Sequence, residues 1–346
     1  MISSWIRILF INIVLIFSLI GMLLLAPPVL YKLYKWVKPA NFVISKDQRS
    51  QLKLYQNFTW ADKHFVELSQ QSITYYDYIT WRRDDYSGET INIVNGIRLS
   101  PTAYKDNPKG SKFFFFGGST TWGAGVNDEN TLPSIYSKIT KNSVINFGET
   151  SYIARQSLAY LNNYIIENSL TNMSNINVIF YDGVNDVADR CRSENNGLGT
   201  DREKQIQSKL KTNTNKQFGF VNTFSQLQEF INKVLKKFLI SNTPLKISDN
   251  LYNCSSDEQR AFNVAKSLVD TWEIASDLVN NRGGKFTAIL QPVAFYGNPD
   301  LDYLDLTSGI NKSLAAQYKV VYPLIIQLAS DRNFNFIDLT DASIDP

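Results

Sequence analysis

The sequence has 346 residues, of which 44% are apolar and 13% aromatic, and its formal net charge is +3. Such a chain can bury a sizeable core, and its balanced charge argues against a nucleic-acid-binding protein, whose affinity depends on many basic residues at phosphates. Two cysteines exclude a disulfide-dense scaffold and a four-thiolate zinc site, and a single histidine excludes most histidine-based metal centres.

The N-terminal region contains a long apolar stretch. Residues 8–26 include only Asn12 and Ser18 as clearly polar members. As a helix the stretch would span about 28 Å, close to the hydrocarbon thickness of a bilayer. The aromatic and basic segment YKLYKWVK (31–38) follows and suits a membrane interface. Residues 1–40 therefore predict a single-pass transmembrane anchor with its juxtamembrane segment, and a cleaved signal peptide is the alternative.

The remaining sequence divides into a leader over 41–111 and a domain over 112–346. In the leader, apolar runs flank Asn95-Gly96, the strongest short signal of a β-hairpin. From residue 112 onwards, short apolar segments alternate with segments of helical period. The predicted strands are FFFF (113–116), SVINF (143–147), INVIFY (176–181), KFTAIL (285–290) and FNFID (334–338). This alternation predicts an α/β fold with a parallel sheet covered by helices on both faces.

A polar stretch at about 190–257 interrupts the alternation and is predicted to be an insertion. It contains a helical segment near residues 224–238 with an apolar stripe and adjacent lysines. Three interpretations remain open: a cap over an active site, a helix lying on a membrane surface, and a helix packed on its own domain.

Polar segments with glycines follow the first three predicted parallel strands, at the sheet edge where ligands bind in such folds. GGSTTWG places Ser119 at the start of a helix, where backbone N–H groups can face a developing anion. NFGET supplies the Gly148 N–H, and YDGVND supplies the Asn185 side chain. Each segment alone is also an ordinary turn, but together they predict a nucleophile with an oxyanion hole. The neighbouring residues predicted to contact a substrate are Gly118, Thr120 and Asp186.

These segments resemble the SGNH, or GDSL-type, hydrolase family, whose fold is a three-layer, flavodoxin-like α/β/α sandwich. The resemblance covers about residues 112–346, and TWRRDDYSGETINIVNGIRLSP before it resembles the leader of membrane-anchored bacterial members. By this resemblance Ser119 is the nucleophile, and its own N–H, the Gly148 N–H and the Asn185 side chain form the oxyanion hole. The resemblance implies hydrolysis, or transfer, of acyl esters on lipids, small molecules or glycans.

The same resemblance bears on the two cysteines. Cys191 follows the Gly-x-Asn-Asp segment and Cys254 closes the insertion, so a disulfide would join both ends of the insertion. Two buried free thiols are the alternative. Closing a loop of that length is worth about 4 kcal/mol in the chain-entropy treatment. A disulfide requires an oxidising compartment, which favours an extracytoplasmic main domain.

Other chemistries find less support in the sequence. GGSTTWGAG lacks the Gly-Lys-Ser/Thr ending of a phosphate-binding loop and the spacing of a dinucleotide fingerprint. Asp182, Asp186 and Asp189 match no calcium loop and are expected to be solvated turn residues. We therefore expect neither a metal nor a cofactor.

The sequence departs from the family pattern at the catalytic base. The family's fourth segment, Asp-x-x-His, follows the last strand, and its histidine deprotonates the serine. Here no histidine follows Ser119, and His64, the single histidine, is expected to be packed or solvated, not a replacement base. Asp338, Asp341 and Asp345 lie near the last strand, but a carboxylate is a weaker base than imidazole.

Two explanations can account for the missing histidine. We expect a sequence that stops at Pro346 before its last catalytic segment, and the alternative is a member that has lost catalysis. Both predict little or no esterase activity. The predicted function is a membrane-anchored SGNH-type serine esterase that is incomplete as given. Alternatives are a non-catalytic module that binds an acylated glycan or a protein, and an acyltransferase component of envelope glycan modification.

Overall fold

The computed structural model describes residues 5, 10–16, 47–101, 110–195, 200, 203–208, 251–297 and 309–341. The chain divides into two units, residues 1–46 with 207–246 and residues 47–206 with 247–346. Most of the predicted anchor and the predicted helix near 224–238 lie outside the described residues. Among the residues that are described, no helix combines the length and apolar character that a membrane crossing requires.

The second unit contains an eight-stranded sheet with the order β10-β9-β8-β6-β7-β5-β4-β3. The strands are β1 (Ile73–Tyr76), β2 (Thr80–Arg83), β3 (Tyr86–Ser87), β4 (Asn92–Val94), β5 (Ile97–Arg98), β6 (Lys112–Gly117), β7 (Ser143–Asn146), β8 (Ile176–Asp182), β9 (Lys285–Leu290) and β10 (Asn335–Asp338). The strands β7, β6, β8, β9 and β10 are parallel neighbours. Numbered by appearance, their order is 2-1-3-4-5, as in flavodoxin-like sheets. The prediction of an α/β fold with a parallel-rich sheet is confirmed.

Helices lie on both faces of the parallel strands. The α-helices of the second unit are α1 (Ala61–Gln70), α2 (Ser119–Trp122), α3 (Leu132–Thr140), α4 (Ala154–Glu167), α5 (Val184–Arg190), α6 (Glu258–Asn280) and α7 (Gly309–Ser330) in the described ranges. Helices α4, α6 and α7 share one core with Phe114 and Phe116 of β6. Helix α3 packs on the other face, against Phe115. Alternate residues of β6 pack in the two cores because successive side chains of a strand point to opposite faces of the sheet.

The predicted leader contributes strands to the same sheet. Strand β5 pairs antiparallel with β7, with Arg98 opposite Asn146, and β4 and β3 continue the sheet outwards. Asn95 and Gly96 form the turn between β4 and β5, with φ values of 52° and 68° that a type I′ hairpin turn requires. Strands β1 and β2 form a separate two-stranded hairpin. The edge of β7 is therefore covered by residues that precede the parallel strands.

A disulfide joins Cys191 and Cys254, 63 residues apart. Beside it, Arg192 and Tyr252 form an antiparallel bridge. Within the insertion, Glu203 contacts α4, where Arg155 Nη2 donates to both of its carboxylate oxygens at 2.5 and 2.7 Å. The two ends of the insertion are thus fixed on the domain.

Candidate active site

Ser119 is the first residue of α2, a single helical turn that follows β6 directly. The Trp122 N–H donates to the Gly118 carbonyl at 3.0 Å. The Gly123 and Ala124 N–H groups donate to the Ser119 carbonyl at 2.9 and 3.0 Å. These bonds close the turn and leave Ser119 half-buried at the carboxyl end of β6.

The Asn185 side chain lies against Gly118. Asn185 is the second residue of α5, after β8, and its Nδ2 donates to the Tyr152 carbonyl at 2.8 Å. A Cβ on Gly118 would lie only 2.5 Å from Asn185 Nδ2, so a larger residue there would force the Asn185 amide to move. An asparagine amide carries two N–H groups, and one remains for a ligand beside Ser119. The structure therefore brings together Gly118, Ser119 and Asn185, as the sequence predicts for a site.

Gly148, after β7, packs on the backbone of α2. A Cβ on Gly148 would lie 2.6 Å from the Trp122 nitrogen and 2.9 Å from the Thr121 carbonyl carbon. The Gly148 N–H donates to Asn146 Oδ1 at 3.0 Å. That bond would have to be shared or released for the N–H to bind an oxyanion. Its role as an oxyanion donor stays a prediction, while its packing role is evident.

The two other predicted substrate contacts have different positions. Thr120 is exposed beside Ser119, where a ligand could reach it. Asp186 is only 1% exposed, and its carboxylate accepts from the Ala154 N–H at 3.2 and 3.3 Å and lies 3.9 Å from Arg190. Burial raises the pKa of Asp186, although Arg190 opposes the shift. A carboxylate enclosed at the start of α4 argues against the predicted contact and instead ties α5 to α4.

Asp182 departs from the expectation of a solvated turn residue. It is the last residue of β8 and is buried, with Ser157 Oγ 3.5 Å from its Oδ1. Burial raises its pKa well above the usual range, and the neighbouring Asp186 charge raises it further. The side chain is enclosed because β8 is a central strand and α4 and α6 cover its face.

His64, in α1, is buried and contacts the loop that follows α2. Its Nε2 lies 3.1 Å from the Ala124 carbonyl, and its ring packs edge-on against Trp60 and Phe65. Burial lowers the pKa of His64 to about 4. Within the described ranges, no imidazole or carboxylate forms a hydrogen bond with Ser119. His64 thus supports the loop after α2 and is packed, as expected.

The carboxylates near the last strand lie towards the other side of the sheet. Asp338 ends β10, three strands from β6 and so about 14 Å away at ordinary strand spacing. The Thr340 N–H donates to Asp338 Oδ1 at 2.9 Å. Asp341 lies near Gly297, where a Cβ would be 3.1 Å from its Oδ1, and Asp345 lies outside the described residues.

Two arginines beside α2, Arg83 and the fully buried Arg98, were not predicted as site residues. Arg83 of β2 pairs with Glu149 at 3.1 Å, and Arg98 of β5 pairs with Asp128 at 2.8 Å. Both guanidinium groups lie over the Trp122 ring, at 4.2 and 4.4 Å from its centroid. Each arginine ends a short strand, Arg83 the segment TWRR and Arg98 the pair IR, and no apolar run marks these segments in the sequence.

No protein-family model and no curated protein matches the chain. It is similar to the solved structure of a carbohydrate acetylesterase family member from Sinorhizobium meliloti, with 14% identity over 66% of this chain and 83% of that one and a TM-score of 0.33. Phospholipase A1 from Streptomyces albidoflavus NA297 has 12% identity over 67% and 81%, with a TM-score of 0.34. A GDSL-like lipase from Bacteroides thetaiotaomicron VPI-5482 has 13% identity over 69% and 71%, with a TM-score of 0.29.

The five parallel strands follow the flavodoxin-like order, and the segments bearing Ser119, Gly148 and Asn185 end its first three strands. In these features the chain is similar to the SGNH/GDSL-type hydrolases.

Proposed function

We propose that the chain is an SGNH-type serine hydrolase of acyl esters, with Ser119 as nucleophile. The observation that carries this proposal is the approach of the Asn185 amide to Gly118, the residue that precedes Ser119. Ser119 Oγ would lose its proton to a base and attack the ester carbonyl carbon. The C–O bond to the alcohol would then break, and the alcohol would leave with that proton. Water would hydrolyse the resulting acyl-enzyme to the free acid and restore the Ser119 hydroxyl. The free N–H of Asn185 and the backbone N–H of Ser119 would stabilise the negative oxygen of the tetrahedral intermediate.

A serine hydroxyl is a poor nucleophile until a base accepts its proton. Since no base contacts Ser119 among the described side chains, we expect the protein to hydrolyse p-nitrophenyl acetate only slowly. Free imidazole should partly replace the missing base. The difference in rate between wild type and Ser119→Ala should therefore grow with imidazole concentration, and subtracting the variant removes hydrolysis by imidazole itself.

The same assay tests the Asn185 amide. Asn185→Ala should lower the imidazole-dependent, Ser119-dependent rate by about 100-fold, the usual cost of one oxyanion donor. Asn163→Ala, on α4 and bonded to Glu167 at 2.8 Å, is the matched control. Equal rates for wild type and Ser119→Ala at every imidazole concentration would exclude Ser119 as nucleophile. Fast turnover without imidazole, lost in Ser119→Ala, would instead show that a base is already in place.

We further propose that residues 8–26 anchor the protein in a membrane, with the main domain outside the cytoplasm. The described residues 10–16 are helical, and their apolar side chains are exposed, as for Phe10 (66%) and Leu15 (55%). Exposed apolar surface is unfavourable in water and would be covered by lipid. The Cys191–Cys254 disulfide supports an oxidising compartment.

Membrane placement can be tested in a bacterial host. The full chain is expected to remain in the membrane pellet after alkaline carbonate extraction, whereas a chain that begins at Asp47 should not. Protease added to intact spheroplasts should digest the main domain. Extraction of the full chain by carbonate would contradict the anchor, and protection from protease until the membrane is lysed would contradict the orientation.

A further inference from the structure

In the segment 119–126, here called the Ser119 turn, three backbone carbonyls accept hydrogen bonds from one arginine side chain. Arg98 Nη1 donates to the carbonyls of Trp122 and Gly123 at 2.9 and 2.5 Å, and its Nη2 donates to the Val126 carbonyl at 2.7 Å. The Arg98 side chain is fully buried. Its Nε donates to Asp128 Oδ1 at 2.8 Å, so the carboxylate fixes the orientation of the Arg98 guanidinium group.

The carbonyls at the end of a helix have no partner within that helix. Helix α2 has four residues, so its last carbonyls and those of the following loop all depend on other groups. Arg98 donates hydrogen bonds to three of these carbonyls. The same peptides hold Ser119, because the Gly123 and Ala124 N–H groups donate to its carbonyl. The backbone position of Ser119 therefore depends on the Arg98 guanidinium group.

Arg83 holds the turn at a second point. Its guanidinium carbon lies 4.2 Å from the Trp122 ring centroid, and that of Arg98 lies 4.4 Å away, both within cation–π range. Arg83 is itself fixed by Glu149, whose N–H donates to the Gly117 carbonyl at 3.0 Å. These contacts fix the Trp122 ring as well as the carbonyls, so the turn has little freedom to rotate.

We propose that Arg98 is a positioning residue, which sets the backbone of the Ser119 turn so that the hydroxyl faces the Asn185 amide. This inference rests on the proposed function, in which Ser119 is the nucleophile. Because the Arg98 side chain is fully buried beneath the turn, its loss should affect the reaction step and not substrate binding. Lysine cannot replace it, because a single ammonium group cannot reach three carbonyls and Asp128 in one fork.

The test compares Arg98→Lys with the double variant Arg98→Met/Asp128→Asn, which leaves no unpaired buried carboxylate. Arg332→Lys is the control, because Arg332 also forms two ion pairs, with Asp270 and Glu273 at 3.0 and 2.9 Å, outside the site. The first readout is amide hydrogen exchange at Gly123 and Ala124, which requires no activity. The second is kcat and KM of the Ser119-dependent hydrolysis in imidazole.

Both Arg98 variants should exchange faster at Gly123 and Ala124 than wild type, with exchange in β8 and β9 unchanged. Their kcat should fall by about 100-fold with KM unchanged, as for a nucleophile misplaced by about 1 Å. Wild-type exchange and kcat in Arg98→Lys would overturn the inference, and so would faster exchange spread evenly over the sheet. If wild type shows no Ser119-dependent hydrolysis, the proposed function fails, and local exchange alone decides whether Arg98 holds the turn.

Discussion

At the scale of single residues, His64 shows how burial changes a titrating group. Its ring is enclosed by Trp60 and Phe65, and burial lowers its pKa to about 4 in the folded chain. An unfolded histidine has a pKa of about 6.5. The unfolded chain therefore binds a proton first as the pH falls, so the stabilisation from neutral His64 is complete above about pH 6.5 and is lost towards pH 4.

We expect His64 to lower the free energy of unfolding by about 3 kcal/mol between pH 6.5 and pH 4, from a pKa difference of roughly 2.5. His64→Gln keeps a donor for the Ala124 carbonyl and removes the titration, so its profile over this window should be flatter. Urea denaturation at a series of pH values measures both. The lowered pKa of Glu67 acts equally in the two proteins, so identical slopes would contradict the role of His64.

The positions of Ser119 and Asn185 could be predicted from the sequence because parallel strands end at the same edge of a sheet. The bond from the Gly148 N–H to Asn146 and the burial of Asp182 could not. The first depends on the orientation of the Asn146 side chain, whose Nδ2 donates to the Thr121 carbonyl of α2, and the second depends on the helices that cover β8. The role of Arg98 was hidden for the same reason, since its partners lie on a loop that follows in the chain.

At the scale of elements, the disulfide closes a long polar insertion between α5 and α6. Cys191 follows the last residue of α5, and Cys254 lies just before α6. Both cysteines are buried in the main core, beside residues of these two helices. The disulfide therefore limits the freedom of the unfolded chain and also holds the two helix ends together.

Cys191→Ala/Cys254→Ala should lose about 4 kcal/mol of unfolding free energy, the value expected for a loop of this length. Urea denaturation with and without dithiothreitol measures the loss. The reductant should destabilise wild type by a similar amount and should leave the double variant unchanged. A wild-type midpoint that does not move on full reduction would contradict this expectation.

The bounds of the five parallel strands agree with the predicted ones within a residue. Strands β6, β8 and β9 have four or more apolar or β-branched residues in a run, whereas β7 and β10 have only an apolar pair. The strands of the leader were not predicted as part of this sheet. Strands β3 and β5 have only two residues each, too few for a periodic pattern. Their partners are also set by long-range pairing, as with β5 and β7, which local sequence does not encode.

At the scale of the whole molecule, the leader is an integral part of the domain. Strand β5 covers the edge of β7, and Arg98 of β5 holds the Ser119 turn. An uncovered strand edge can pair with other chains and promotes aggregation. A chain that began just before the first parallel strand, β6, would lack this cover and is therefore not expected to be stable.

A chain that begins at Gly110 should fail to unfold cooperatively and should aggregate, because it lacks β3–β5. A chain that begins at Asp47 keeps every described element of the second unit and should unfold in one transition. Circular dichroism during denaturation and size-exclusion chromatography distinguish the two. Equal unfolding midpoints for both chains would show that the leader strands are dispensable.

Gly148 has a further consequence for how such a domain evolves. A side chain there would collide with the backbone of α2, 2.6 Å from the Trp122 nitrogen. Selection would therefore preserve this glycine through folding alone, even in a descendant that never meets a substrate. Ser119 makes no comparable packing demand and would be free to drift once the chemistry was abandoned. In such a lineage, a serine kept at position 119 would indicate that catalysis was retained. A glycine kept at position 148 would indicate only that the domain still folds.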